Sequence, residues 1–148
     1  MRIAPLLLGA VLAGGGGAMA LAQAGPQAGG PVAERKNDMK AMQRELEAVK
    51  AALDSGDIAA IAPRAKTVHG LLEVIPTLFP PDSASGDTKA LPAVWSDRAG
   101  FETAARNALA AAGKLEQAAA SGDRAATVQA FREMGAACGG CHRNFRGR

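Results

Sequence analysis

ALDSGDIAAI (52–61) and AASGDRAATV (119–128) carry the same tripeptide, Ser-Gly-Asp, at 55–57 and 121–123. Glycine ends a helix in the left-handed conformation without a Cβ penalty, and an aspartate can accept from the first free amides of the next helix. Both stretches sit between runs with an apolar residue every three or four positions, so each reads as a tight turn between antiparallel helices. A third Ser-Gly-Asp, at 85–87, falls within PPDSASGDTKALPAV (80–94). The Pro, Ser, Gly and Asp content of that segment predicts the longest loop of the domain. Two hairpins joined by one long loop close most simply as an all-α, antiparallel up-down-up-down four-helix bundle.

The apolar stripes agree. The first helix is expected from about Val32 to Leu53, with Val32, Arg35, Met39, Met42, Leu46, Val49 and Leu53 at bundle spacing and Arg35 as the single polar interruption. The second is expected from about Ile58 to Leu78, capped by Asp57, with Ile58, Ile61, Ala65, Val68, Leu72, Ile75 and Phe79 facing inward. Pro63 lies in its first turns, and Pro76 marks its weakening end. The third starts near Ser96 or Asp97 and runs to about Ala120, with the stripe Phe101, Ala105, Ala108, Ala112, Leu115, Ala119. Such small residues let a neighbour approach closely. The fourth runs from Asp123 towards Phe145, with the stripe Val128, Phe131, Gly135, Cys138, His142, Phe145; Met134 falls off it.

The chain has 148 residues, enough for one domain with a real core. Apolar residues make up 48%, but aromatics only 3%, so alanine supplies much of the interior and strand signals are weak. MRIAPLLLGAVLAGGGGAMALAQA (1–24) has one charge, Arg2, then an apolar stretch and small residues at Ala-x-Ala spacing. It reads as a secretory signal peptide over 1–22, with cleavage after 20, 22 or 24, and it is too short and glycine-rich for a membrane span. Residues 23–31 read as a flexible spacer and 32–148 as the bundle. The expected location is the periplasm, with no membrane attachment after cleavage. The chain carries 17 Lys and Arg against 14 Asp and Glu, net +3, and loss of Arg2 with the leader lowers this to +2. That near balance gives no case for nucleic acid.

The remaining chemistry is concentrated in ACGGCHRNFRGR (137–148), which holds both cysteines, Cys138 and Cys141, and one of the two histidines, His142. C-x-x-C-H is the signature of covalent c-type haem attachment. On a helix, residues three and four apart share a face, so both thiols can reach one porphyrin edge while the imidazole serves as proximal iron ligand. Gly139 and Gly140 leave room for a flat macrocycle. A thioredoxin-like dithiol would need a βαβ context, and zinc would need a fourth ligand where only His69 remains. Phe145 is placed to pack on the proximal side. Arg146, four residues after His142, is placed to influence its surroundings.

A sixth ligand would come from methionine. Met39 and Met42 lie on the inward stripe of the first helix. Arg35, one turn before Met39 on the same face, could meet a haem propionate.

Together, RKNDMKAM (35–42), LPAVWSDRAGFETAA (91–105) and CGGCHRNFR (138–146) resemble the class II cytochromes c, the cytochrome c-prime family, over about Val32 to Arg148. The resemblance implies one haem c per chain, with Trp95 approaching the haem edge. In that family a methionine at the Met39 position ligates iron in the low-spin members. A Leu or Phe there leaves a five-coordinate iron open to NO or CO. Met39, and Lys36 where a glutamine often stands, lean towards the low-spin form. The expected function is electron transfer with redox partner proteins, and the alternative is gas binding with Met39 only capping the distal face. No substrate pocket or acid–base pair points to an enzyme. Members of the family are often homodimers through the first two helices.

Overall fold

The computed structural model describes residues 29–148. The expected signal peptide and cleavage sites lie outside the described residues, as does most of the spacer. Five α-helices follow in order: α1 Gly30–Ser55, α2 Ile61–Val74, α3 Ala93–Ser96, α4 Arg98–Ala120 and α5 Arg124–Phe145. Four are long, and α3 is a single turn within the long loop. Among the described residues no strand forms; the one antiparallel bridge joins Ala90 to Arg146.

Both short Ser-Gly-Asp turns form as their chemistry requires. Gly56 has φ 83° and Gly122 φ 74°, the left-handed region that favours glycine. Asp57 accepts from the Ala60 amide at 3.3 Å and Asp123 from the Ala126 amide at 3.0 Å. The second predicted helix is divided. A 3-10 turn at Ile58–Ala60 precedes α2, and another at Ile75–Leu78 follows it. Pro76 lies in the second of these, where it cannot donate to an α-helical ladder.

α1 packs on α2, α2 on α4 and α4 on α5, which places them in that order around a bundle. On the fourth side, direct packing between α1 and α5 is at most marginal. All six stripe residues of α4 are buried. The α5 stripe is corrected by about one position: Thr127, Ala130 and Met134 are buried, whereas Gly135 and His142 are exposed. Thr127 can take an interior place because its hydroxyl donates to the Asp123 carbonyl at 2.6 Å. Met134, off the expected stripe, is 0% exposed.

The aromatic side chains stack in a row. Phe79 meets Phe101 with centroids 4.9 Å apart, and Phe101 meets Phe145 at 5.5 Å, both edge to face. Trp95 extends the row from Phe79 at 6.2 Å. This row ties the loop, α4 and the end of α5 together. Phe101→Ala should lower unfolding stability by about 3–5 kcal/mol in urea titrations. Val74→Ala, at an exposed position, should stay within about 0.5 kcal/mol. Equal losses from the two variants would contradict this account of the core.

Candidate haem-attachment site

Cys138, Cys141 and His142 lie on the last two turns of α5. The thiols are free and half-buried against the core. Burial pushes both above the usual thiol range, and for Cys141 the neighbouring Cys138 adds to the effect. Both therefore stay protonated at neutral pH and are poor anionic ligands. His142 is exposed, yet the protein around its ring withdraws enough water to lower its pKa from 6.5, and the Arg146 guanidinium adds to the shift. A neutral imidazole is the form that can bind a metal. Among the described residues, no three His, Cys, Asp or Glu side chains converge as a metal cluster would require. The donor set is one imidazole beside two thiols, which fits covalent attachment plus axial ligation rather than a thiolate metal site.

The glycines between the cysteines agree with this. A Cβ on Gly139 would meet only the Arg143 guanidinium, at 3.4 Å, and one on Gly140 the same group at 3.8 Å. Internal packing does not require glycine at either position. Each costs a helix interior about 1 kcal/mol against alanine, and together they leave the backbone open to a flat ligand.

The end of α5 is held in place. Phe145 is buried on Phe101. Its carbonyl accepts from the Leu91 amide at 3.0 Å, and the Gly147 amide donates to the Lys89 carbonyl at 2.7 Å. Phe145 thus secures the helix terminus directly below the attachment motif.

On α1, Met39 is partly buried against the core and Met42 is buried. Arg35 is 3% exposed rather than frayed into water. Its Nη1 donates to Leu78 O at 3.0 Å and Ser83 Oγ at 2.8 Å. Its Nη2 donates to Ser83 O at 2.9 Å and Thr88 Oγ1 at 2.8 Å. The guanidinium lies 4.4 Å from the Phe79 centroid and 5.9 Å from that of Trp95. All four Nη protons are thus engaged by neutral acceptors, and Nε–H is the donor left for a propionate. Trp95 is half-buried and donates from Nε1 to Pro80 O at 2.9 Å, which anchors the loop. A cleft of about 430 Å³ lies beside it, lined by Pro76, Phe79, Pro80 and Arg98 among others and by no cysteine or histidine. His69, at 3.7 Å from the Glu116 carboxylate, is remote in sequence from the motif and pairs across α2 and α4.

The partners of Arg35 carried no signal readable in advance. Ser83 and Thr88 are ordinary loop hydroxyls until the fold brings them opposite a buried cation. The tail bridge was equally silent, since backbone groups form it.

A helical bundle with a C-x-x-C-H motif at the end of its last helix defines a class of haem-binding proteins, and comparison with known proteins makes the family specific. The sequence profile described as Cytochrome C' matches residues 30–146. Cytochrome c' of Rubrivivax gelatinosus is 48% identical over 71 residues, which are 47% of this chain and 55% of that protein. The alignment therefore spans about half of that relative's length. Cytochrome c' of Rhodospirillum rubrum is 32% identical over 116 residues, 76% of this chain and 78% of that protein. The crystal structure of cytochrome c' from Rubrivivax gelatinosus superposes with a TM-score of 0.71 at 35% identity, covering 78% of this chain and 94% of that one. The nitric oxide complex of a point variant of cytochrome c prime from Alcaligenes xylosoxidans gives 0.73 at 26% identity, covering 80% and 94%. The chain belongs to the cytochrome c' family, whose members are haem-binding proteins carrying haem c.

In the haem-free chain, the His142 ring should titrate below 6.5 by NMR. Arg146→Ala should move the midpoint part of the way back up. The unfolded chain binds this proton more readily than the fold does. The group's contribution to stability is therefore present above about pH 6.5 and is lost as pH falls through the folded midpoint. A midpoint at or above 6.5 would contradict the desolvated setting described for the ring.

Proposed function

We propose that this chain is an exported mono-haem c-type cytochrome that transfers electrons. In this reading the haem is thioether-linked to Cys138 and Cys141, with His142 as proximal ligand and Met39 as the opposite axial ligand. The observation that carries the reading is the lack of close packing between α1, which carries Met39, and α5, which carries the attachment motif. Met39 lies four residues after Arg35, and His142 lies three before Phe145. Arg35 and Phe145 both bond the loop between α2 and α3. Each proposed ligand is therefore about one helical turn, roughly 5.4 Å of rise, below the same loop.

Bound haem would supply a one-electron iron couple. The residues of the chain would anchor, orient and shield it. The two cysteines would fix it to α5, where the backbone bonds of Phe145 and Gly147 hold the helix end that carries His142. Met39 offers a thioether from α1, and Arg35 can present Nε–H to a propionate. Trp95, whose ring lies 5.9 Å from the Arg35 guanidinium, is the aromatic that would approach the haem edge. Apolar side chains of α1 and α5 would restrict water around the iron, which is one lever on its potential. The signal-like sequence at 1–22 and the likeness to bacterial c-type cytochromes support a periplasmic location. No described helix is long and apolar enough to cross a membrane.

The competing reading is a five-coordinate iron that takes up NO or CO while Met39 caps the distal face. It is favoured by the likeness to a cytochrome c prime with bound NO.

Denatured protein should retain covalent haem on a stained gel, and loss of that stain would overturn both readings. The ferrous spectrum should be six-coordinate low-spin and unchanged under CO. Met39→Ala should convert it to a high-spin form that binds CO. Rapid CO uptake by a high-spin parent protein would overturn Met39 ligation and select the gas-binding reading.

A further inference from the structure

The loop over 79–92 touches both helices of the unpacked side. On α1, Arg35 grips it through Ser83 and Thr88, and Lys36 forms an ion pair with Asp87. On α5, Leu91 and Lys89 hold Phe145 and Gly147 through the backbone. Thr88 joins the two halves. Its hydroxyl accepts from Arg35 at 2.8 Å and from the Ala90 amide at 3.1 Å, and Ala90 is the residue bridged to Arg146. A continuous hydrogen-bonded path thus runs from α1 through Thr88 to the end of α5. No comparable direct packing joins the two helices.

We infer that this loop is a brace that sets the separation of α1 and α5 at the haem end, and that Thr88 is thereby a positioning residue for Met39. This rests on reading Met39 and His142 as the axial pair. A site of this kind holds its function only within about 0.5 Å of the working geometry. Each ligand lies about one turn from the brace, so a displaced loop is felt at the iron. Ser83 acts in the same way through its hydroxyl, which accepts from Arg35 and donates to Pro80 O.

The test compares holoprotein carrying Thr88→Val with a matched control, Thr127→Val. Thr127 is also a threonine with a bonded hydroxyl, but it lies in the first turn of α5, away from the loop. Three readouts are taken: the high-spin to low-spin ratio from the absorption spectrum, CO affinity, and amide exchange at Leu91 and Gly147. T88V should raise the high-spin to low-spin ratio about fivefold or more, a change within reach of one lost hydrogen bond to a charged group. It should also speed exchange at both amides. T127V should lower thermal stability and change none of the three. Ser83→Ala gives the same comparison if T88V does not yield holoprotein. T88V behaving like T127V, with an unchanged spin ratio, would overturn the brace. A high-spin parent that takes up CO overturns Met39 ligation instead. The brace is then decided by CO affinity: a fivefold change in T88V alone supports it, and equal affinities in all three proteins overturn it.

Discussion

The burial of Arg35 organises the end of the bundle that carries the chemistry. A guanidinium cannot shed its charge at any ordinary pH, so an interior placement demands acceptors for its protons. Here they come from the short segment 78–88, as the carbonyls of Leu78 and Ser83 and the hydroxyls of Ser83 and Thr88. Phe79 offers a ring face to the same cation. The segment between the two hairpins gains a fixed conformation in return. Arg98 repeats the device from α4, donating to Phe79 O at 3.1 Å and Pro76 O at 2.8 Å. Two arginines thus satisfy backbone carbonyls that leave the helical ladder where Pro76 interrupts it.

The aromatic row carries that order to the attachment motif. Phe79 sits under Arg35, Phe101 spans from α4, and Phe145 closes the end of α5. His142 is exposed, but its helix terminus is not free to move, since backbone bonds to Lys89 and Leu91 fasten the residues just after it. The position of the proposed proximal ligand is set by the anchoring of Phe145 and Gly147.

Much of the fold was legible because its signals are local. The Ser-Gly-Asp turns state their own geometry, and the stripes of α1, α2 and α4 follow from period alone. On α5 the period points to Phe131, Cys138 and His142. The interior instead takes Thr127, Ala130 and Met134, whose burial depends on a satisfied hydroxyl and on neighbouring helices. The candidate site divides along the same line. Cys138, Cys141 and His142 announce themselves by spacing, and Met39 by its stripe. The grip of Ser83 and Thr88 on Arg35 is a long-range pairing of ordinary residues. Arg35 stood out in sequence as one charge on an apolar stripe, but its neutral partners could not be read there.

The small-residue face of α4 has a further consequence. Ala105, Ala108, Ala111, Ala112 and Ala119 are buried between its larger anchors, Phe101 and Leu115. Alanine leaves almost nothing to trim, so neighbours already approach close to the helix backbone itself. Added methylenes in a packed interior usually cost about 1–3 kcal/mol. The contacts of α4 with α2 and α5 therefore sit near a floor, from which evolution can move them apart at a cost but hardly bring them closer. α4 behaves as the fixed datum of the molecule. Variation around the proposed haem site is then expected on α1 and its loop rather than on α4.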